Sequence, residues 1–152
     1  MEDRYGKFMM LINNINRCIK RIENNQMHKY NLRSYHISCL YNLYKHKGIT
    51  ATDLVEMTQQ DKASISRSID FLQDKEYIYC QSKTLKKYKS PILLTQKGQL
   101  VAKEIADKID MVLKQLDQLL TDSQREEFYQ NLQNIYQALK NVQERKSVED
   151  EH

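Results

Sequence analysis

The chain has 152 residues, a formal net charge of +4, one proline and three glycines, which suits one compact, mostly helical domain or one protomer of an intertwined dimer. No apolar run approaches the ~18 residues of a membrane span, and the apolar stretch at residues 9–12 is too short, and too soon followed by asparagines, for a signal peptide. The expectation is a cytoplasmic protein without a membrane segment, and the wide, irregular spacing of Cys18, Cys39 and Cys80 argues against a disulfide framework and a zinc knuckle.

From Arg4 to Met27, apolar Phe8, Leu11, Ile12, Ile15, Ile19 and Ile22 recur at steps of three and four, the pattern of an amphipathic first helix. Ser34 is placed to cap a second helix with Ile37, Leu40, Tyr41 and Tyr44 as its inward stripe, ended by Gly48. Thr50 with Asp53 three residues on reads as a capping box for a short third helix, with Leu54 and Val55 inward. Asp61 caps a fourth helix. In it Ile65, Ile69 and Leu72 make one apolar face, while Ala63, Arg67, Asp70 and Asp74 point outward and Lys62, Ser64 and Ser66 flank the first turns. Small and hydroxylated residues let such a helix enter a major groove, and Lys62 and Arg67 supply cations for phosphates or base edges. Taken alone, this face is more often simply solvated.

The segment that follows shifts the balance. Residues 77–82 and 90–94 are rich in strand formers and flank residues 83–89, where Lys83, Lys86, Lys87 and Lys89 stand with Tyr88 and no acid. A hairpin with a basic tip suits phosphates or a minor groove, although a basic loop alone is often only a solubility device. Residues 95–120 then read as a long helix with Val101, Ile105, Ile109, Val112, Leu116 and Leu119 on one side. Thr121 with Gln124 opens a last helix carrying Phe128, Leu132, Ile135, Leu139 and Val142. These seams exceed what one small domain covers, so a homodimer is expected in which the first helix and the last two interlock; the alternative is a helical hairpin folded back on its own protomer. The acidic end at residues 149–151 contrasts with the basic hairpin.

The run Ile49-Thr50-Ala51-Thr52-Asp53-Leu54-Val55-Glu56, the string Asp61-Lys62-Ala63-Ser64-Ile65-Ser66-Arg67, and Leu93-Leu94-Thr95-Gln96-Lys97-Gly98 together resemble the MarR family of bacterial transcriptional regulators, over nearly the whole chain. The resemblance implies a mainly α fold with a small β-hairpin wing: a winged helix-turn-helix at 32–98, flanked by dimerisation helices at 1–30 and 99–145, with a tail at 146–152. It implies Lys62, Ala63, Ser64, Ser66, Arg67, Lys83, Lys86, Lys87 and Lys89 as the DNA-binding residues. Two departures stand out. The family's usual glycines in the turn and after the recognition helix are Gln59 and Glu76 here, each with an expected penalty of about 1 kcal/mol if φ is positive. Lys86 and Lys87 replace an acidic-arginine wing tip, which exchanges a planar fork for point charges. Phe71 is an aromatic ring where solvent is expected, and packing under the wing would explain it.

Family members commonly respond to a small ligand, metal or oxidant. Cys18 in the first helix is the candidate oxidant sensor, although its register differs from that of the oxidant-sensing branch, and a buried helical cysteine is usually inert. His36 and Cys39 have metal-ligand spacing, but the histidines that zinc-sensing relatives carry in the fifth helix are missing, since no histidine occurs from residue 47 to 151. No metal and no cofactor are therefore expected. Tyr30, Tyr35, Tyr41 and Tyr44 suit either an aromatic ligand pocket or, more simply, core packing.

The resulting expectation is a homodimeric, sequence-specific regulator of repressor type, bound to double-stranded DNA at a pseudo-palindromic operator and modulated by a small-molecule effector or oxidant. The alternative is a winged-helix protein–protein interaction module without specific DNA binding. An enzyme is not expected, since no Ser-His-Asp order, glycine-rich phosphate loop, acidic dyad or HExxH string is present.

Overall fold

The computed structural model describes the backbone of residues 3–82 and 88–149 and, within these, every side chain except those of residues 26 and 145–149. Lys83, Lys86 and Lys87 therefore lie outside the described residues. The chain divides into two compact units, Met1–Ile109 and Asp110–His152. Among the described residues no helix is long and apolar enough to cross a membrane.

The first unit opens with helix α1, Arg4–Met27, capped by the Asp3 carboxylate, which accepts the Gly6 N–H at 2.8 Å. Its apolar stripe is largely exposed, from 37% at Phe8 to 53% at Ile15, and only Met27 at its end enters the core. A single 3-10 turn, His28–Tyr30, and a left-handed Asn31 (φ 55°) lead to helix α2, Ser34–Lys45. Here the expected cap is corrected: Ser34 is the first helical residue, and the Arg33 N–H that precedes it is taken by His36 Nδ1 at 3.2 Å. The helix also stops at Lys45, and Gly48 (φ 73°) serves the turn beyond it. Ile37 and Leu40 face the core as expected, joined by His36, Cys39 and Leu43, while Tyr41 and Tyr44 are only half-buried.

Helix α3, Ala51–Thr58, opens on the expected capping box: Asp53 Oδ2 accepts the Thr50 N–H at 2.7 Å and Thr50 Oγ1 accepts the Asp53 N–H at 3.3 Å. Leu54 is fully buried and Val55 half-buried. Gln59 then takes φ 55°, helix α4 spans Lys62–Asp74, and Glu76 takes φ 59° at its exit, so both glycine substitutes do adopt left-handed backbone.

Strands β1, Ile78–Cys80, and β2, Ile92–Leu94, form an antiparallel hairpin with Ile78 opposite Leu94 and Cys80 opposite Ile92. Buried Ser90 closes its described end: the hydroxyl accepts the Ser82 N–H and donates to the Ser82 carbonyl, both at 3.1 Å. The Ile92 N–H donates to the Ile49 carbonyl at 2.9 Å, tying the hairpin to the start of α3.

The last segment of the first unit is the beginning of helix α5, Gln96–Asp117. Thr95 precedes it as a cap, its hydroxyl accepting the Gly98 N–H at 3.0 Å and donating to the Glu76 carbonyl at 2.6 Å. Lys97 Nζ donates to the Lys75 carbonyl at 2.6 Å. A Cβ at Gly98 would lie 1.8 Å from the Tyr77 carbonyl oxygen. The Thr-x-Lys-Gly string is therefore a docking device: it lays the helix start on the left-handed turn that leaves α4. Further along, Glu104 gathers Tyr30 Oη (2.5 Å), Lys29 Nζ (2.8 Å) and Lys108 Nζ (2.9 Å), contacts that hold its carboxyl well below the usual range, at about 2.

In the second unit helix α6 spans Asp122–Glu149, continuing beyond residue 145. Its start shows the expected capping box, with Thr121 N–H to Gln124 Oε1 at 2.9 Å and Gln124 N–H to Thr121 Oγ1 at 3.3 Å. Arg125 adds ion pairs with Asp117 and Asp122. Phe128, Ile135, Leu139 and Val142 on this helix are 40–58% exposed.

Candidate nucleic-acid interface

The site is organised by the first two turns of α4. Asp61 has extended backbone, and its carboxylate accepts the Ser64 N–H at 2.8 Å and the Ser64 hydroxyl at 2.6 Å. Those bonds, with Arg67 nearby, hold the Asp61 carboxyl below its ordinary pKa. Arg67 Nη2 in turn donates to Ser64 Oγ at 3.0 Å. One face of the helix is pinned inward by Ile65, Ile69 and Leu72, at most 1% exposed, and by Ser68, whose hydroxyl donates to the Ser64 carbonyl at 2.9 Å. That leaves Lys62, Ala63 and Arg67 exposed, with Ser64 and Ser66 half-buried at the flanks.

The hairpin is fastened to this helix by a residue whose role the sequence did not disclose. Lys62 Nζ sits 4.1 Å from the centroid of the Tyr88 ring, and Thr52 Oγ1 donates to the Tyr88 carbonyl at 3.3 Å. Tyr88 thus joins α3, α4 and the base of the hairpin, and Lys89 beside it is exposed.

On another side of α4 lies a cleft of about 530 Å³ shared with the start of α2, lined by Arg33, Tyr35, His36, Ser64, Arg67 and Phe71 among others. Its floor corrects the expectation for Phe71, whose ring partner among the described residues is not on the hairpin but is His36 of α2, centroids 4.0 Å apart and planes within 2°. Burial and, secondarily, the Arg33 charge push the His36 pKa down to about 4. The ring is neutral at pH 7, and because Nδ1 accepts the Arg33 N–H, the proton resides on Nε2. No local spacing announced this cleft, since it joins residues more than thirty positions apart.

The sensor candidates separate. Cys18 is exposed on α1, Cys80 is half-buried against Gln73 Nε2 at 3.7 Å, and Cys39 is buried, which raises its thiol pKa to about 12. Among the described residues no group of three or more His, Cys, Asp or Glu is placed to hold a metal.

Residues 31–82, which include α2, α3 and α4, match the model of the MarR family. Among solved structures, the DNA complex of Staphylococcus aureus MepR shares 20% identity at a TM-score of 0.77, covering 87% of this chain and 97% of that one. A MarR family regulator from Neisseria meningitidis shares 15% identity at a TM-score of 0.81, covering 93% and 96%. Staphylococcus aureus MarR in complex with salicylate and kanamycin shares 15% identity at 0.76, covering 90% and 93%. No curated protein matches the chain. The architecture is thus a winged helix-turn-helix with additional helices. Its helix-turn-helix segment matches the MarR family model, and the likeness in fold to MarR-family structures extends over about nine-tenths of the chain.

Proposed function

We propose that this protein is a DNA-binding transcription regulator of repressor type, acting in the cytoplasm as a homodimer on a pseudo-palindromic operator. The observation that carries the reading is the Asp61–Ser64–Arg67 chain, which presents an oriented guanidinium on the exposed face of a rigidly packed helix. A fixed cation beside small side chains is what major-groove reading requires. The tethered hairpin base supports it, as does the likeness in fold to a protein solved with DNA. Lys62, Ala63, Ser64, Ser66 and Arg67 form the reading helix, and Lys83, Lys86, Lys87 and Lys89 provide the wing's phosphate contacts.

The dimer is inferred from exposed apolar surface. Ile12, Ile15, Ile19 and Ile22 on α1 are 40–53% exposed, and α6 repeats the pattern, more than a chain of this size leaves to water. A second copy covers both stripes and sets two reading helices about 34–36 Å apart, one turn of DNA. A small ligand or oxidant modulates affinity in this reading, with exposed Cys18 the oxidant's candidate target. No catalytic step is assigned.

Selection from a random-sequence duplex pool at two salt concentrations tests the reading. A pseudo-palindrome bound with steep salt dependence is the expected result. Retention without an enriched motif reduces the protein to an electrostatic binder, and no retention at low salt favours a winged-helix module for a protein partner.

A further inference from the structure

The cleft between the start of α2 and α4 holds positive charge that the reading above leaves unused. Arg33 is exposed, its guanidinium has no anionic partner among the described residues, and it faces the same space as Arg67. No aspartate or glutamate lines that space. His36 contributes a ring whose Nδ1 is occupied, leaving an Nε2–H donor, and Phe71 stacked on it gives the cleft a stiff, apolar back wall. Apart from Ser64, whose hydroxyl proton goes to Asp61, every polar side chain lining it carries a donor, and the two strongest are arginines. Guanidinium forks match the oxygens of a phosphate bidentately.

Position selects the partner. At about 100° per residue, Ser64, Arg67 and Phe71 fall roughly 140–200° around α4 from Lys62. Lys62 is the residue that meets Tyr88 at the hairpin base. The cleft and the hairpin therefore occupy opposite flanks of the reading helix. A helix lying in a major groove about 12 Å wide has a sugar-phosphate strand on each flank. One strand passes the hairpin, and the other passes the cleft.

We propose that the cleft is a phosphate clamp in which Arg33, beside the base-reading Arg67, holds one phosphodiester of the DNA backbone on the flank of α4 away from the hairpin. The clamp rests on the DNA-binding reading and adds Arg33, which lies outside both the reading helix and the wing, to its contacts. It fixes register and depth of insertion and carries no base preference of its own.

The test uses the full-length protein with its selected operator and an unrelated duplex, titrated over a salt series. Arg33→Ala is expected to weaken binding to both duplexes alike, by about tenfold or more, and to flatten the log-log salt slope by about 0.9 for each protomer. Arg33→Lys keeps the charge and so the slope, but loses part of the affinity with the fork. A duplex series carrying single neutral methylphosphonates should contain one position per half-site that weakens the wild type and leaves Arg33→Ala unaffected. Arg33 is exposed, and alanine keeps the backbone N–H that His36 accepts, so unchanged thermal unfolding is expected of the variant.

Wild-type affinity and slope in Arg33→Ala overturn the clamp while leaving the DNA reading intact, as does a loss confined to the operator at unchanged slope. Stabilisation of the protein by inorganic phosphate that depends on Arg33, with no effect of Arg33 on DNA, reassigns the cleft to a small anion and also overturns it. Failure of the wild type to bind any duplex at low salt removes both readings together.

Discussion

Arg67 Nη2 donates to Ser64 Oγ at 3.0 Å, and that same hydroxyl donates to the Asp61 carboxylate at 2.6 Å. The cap of the helix and the orientation of its principal cation are thus one hydrogen-bonded chain. Ser64→Ala keeps the backbone half of the cap and releases Arg67: affinity for the operator should fall while the denaturation midpoint hardly moves. Asp61→Ala removes both halves, so affinity and midpoint should fall together. Parallel denaturant titrations and duplex binding separate the two outcomes.

Tyr88 holds the hairpin base through its ring and its carbonyl. Tyr88→Phe retains the ring under Lys62 and should bind DNA as the wild type does. Tyr88→Ala gives up a contact worth about 0.5–1 kcal/mol and loosens the wing, so binding to all duplexes should weaken without a change in sequence preference. A selective loss on the operator would contradict a positioning role.

Two neighbouring backbone sites should respond in opposite directions. Gly98→Ala drives a methyl against the Tyr77 carbonyl, a backbone atom with little room to yield, and should destabilise by about 1–3 kcal/mol or more. Glu76 already occupies a left-handed conformation at φ 59°, so Glu76→Gly should stabilise by up to about 1 kcal/mol, less the entropy that glycine adds to the unfolded chain. Urea unfolding of the two variants measures both.

His36 supplies a pH signature. Its folded-state pKa, about 4, lies below the ordinary value of 6.5. Between these values the unfolded chain binds more protons than the folded one, so stability rises with pH across that window and falls on acidification from about 6.5 toward 4. His36→Phe removes this dependence while keeping an aromatic ring against Phe71. Thermal midpoints taken from pH 4 to 7 should show a shallower pH slope in the variant.

What the sequence disclosed was local chemistry. The capping pairs Thr50 with Asp53 and Thr121 with Gln124, the cap at Asp61 and the span of α1 all depend on residues within a few positions of one another. The inward face of α4 followed from periodicity alone. Ser34 misled because it is already helical: the extended cap position falls one residue earlier, at Arg33, whose carbonyl accepts the His36 N–H at 2.9 Å and the Ile37 N–H at 3.0 Å. Phe71 misled because its partner, His36, lies on a different helix and no spacing rule connects them. For the same reason Arg33 escaped notice, and Tyr88, noted only as part of the basic tip, gave no sign that it fastens the hairpin to α3 and α4.

The most direct measurement is the equilibrium affinity of wild type and Arg67→Ala for the selected operator and for operators altered one base pair at a time. If α4 reads bases through Arg67, the substitution should lower operator affinity by about 1–3 kcal/mol and make one base-pair position per half-site indifferent to change. An equal loss on every sequence would make Arg67 a phosphate contact only, and an unchanged affinity would contradict the placement of α4 in the groove.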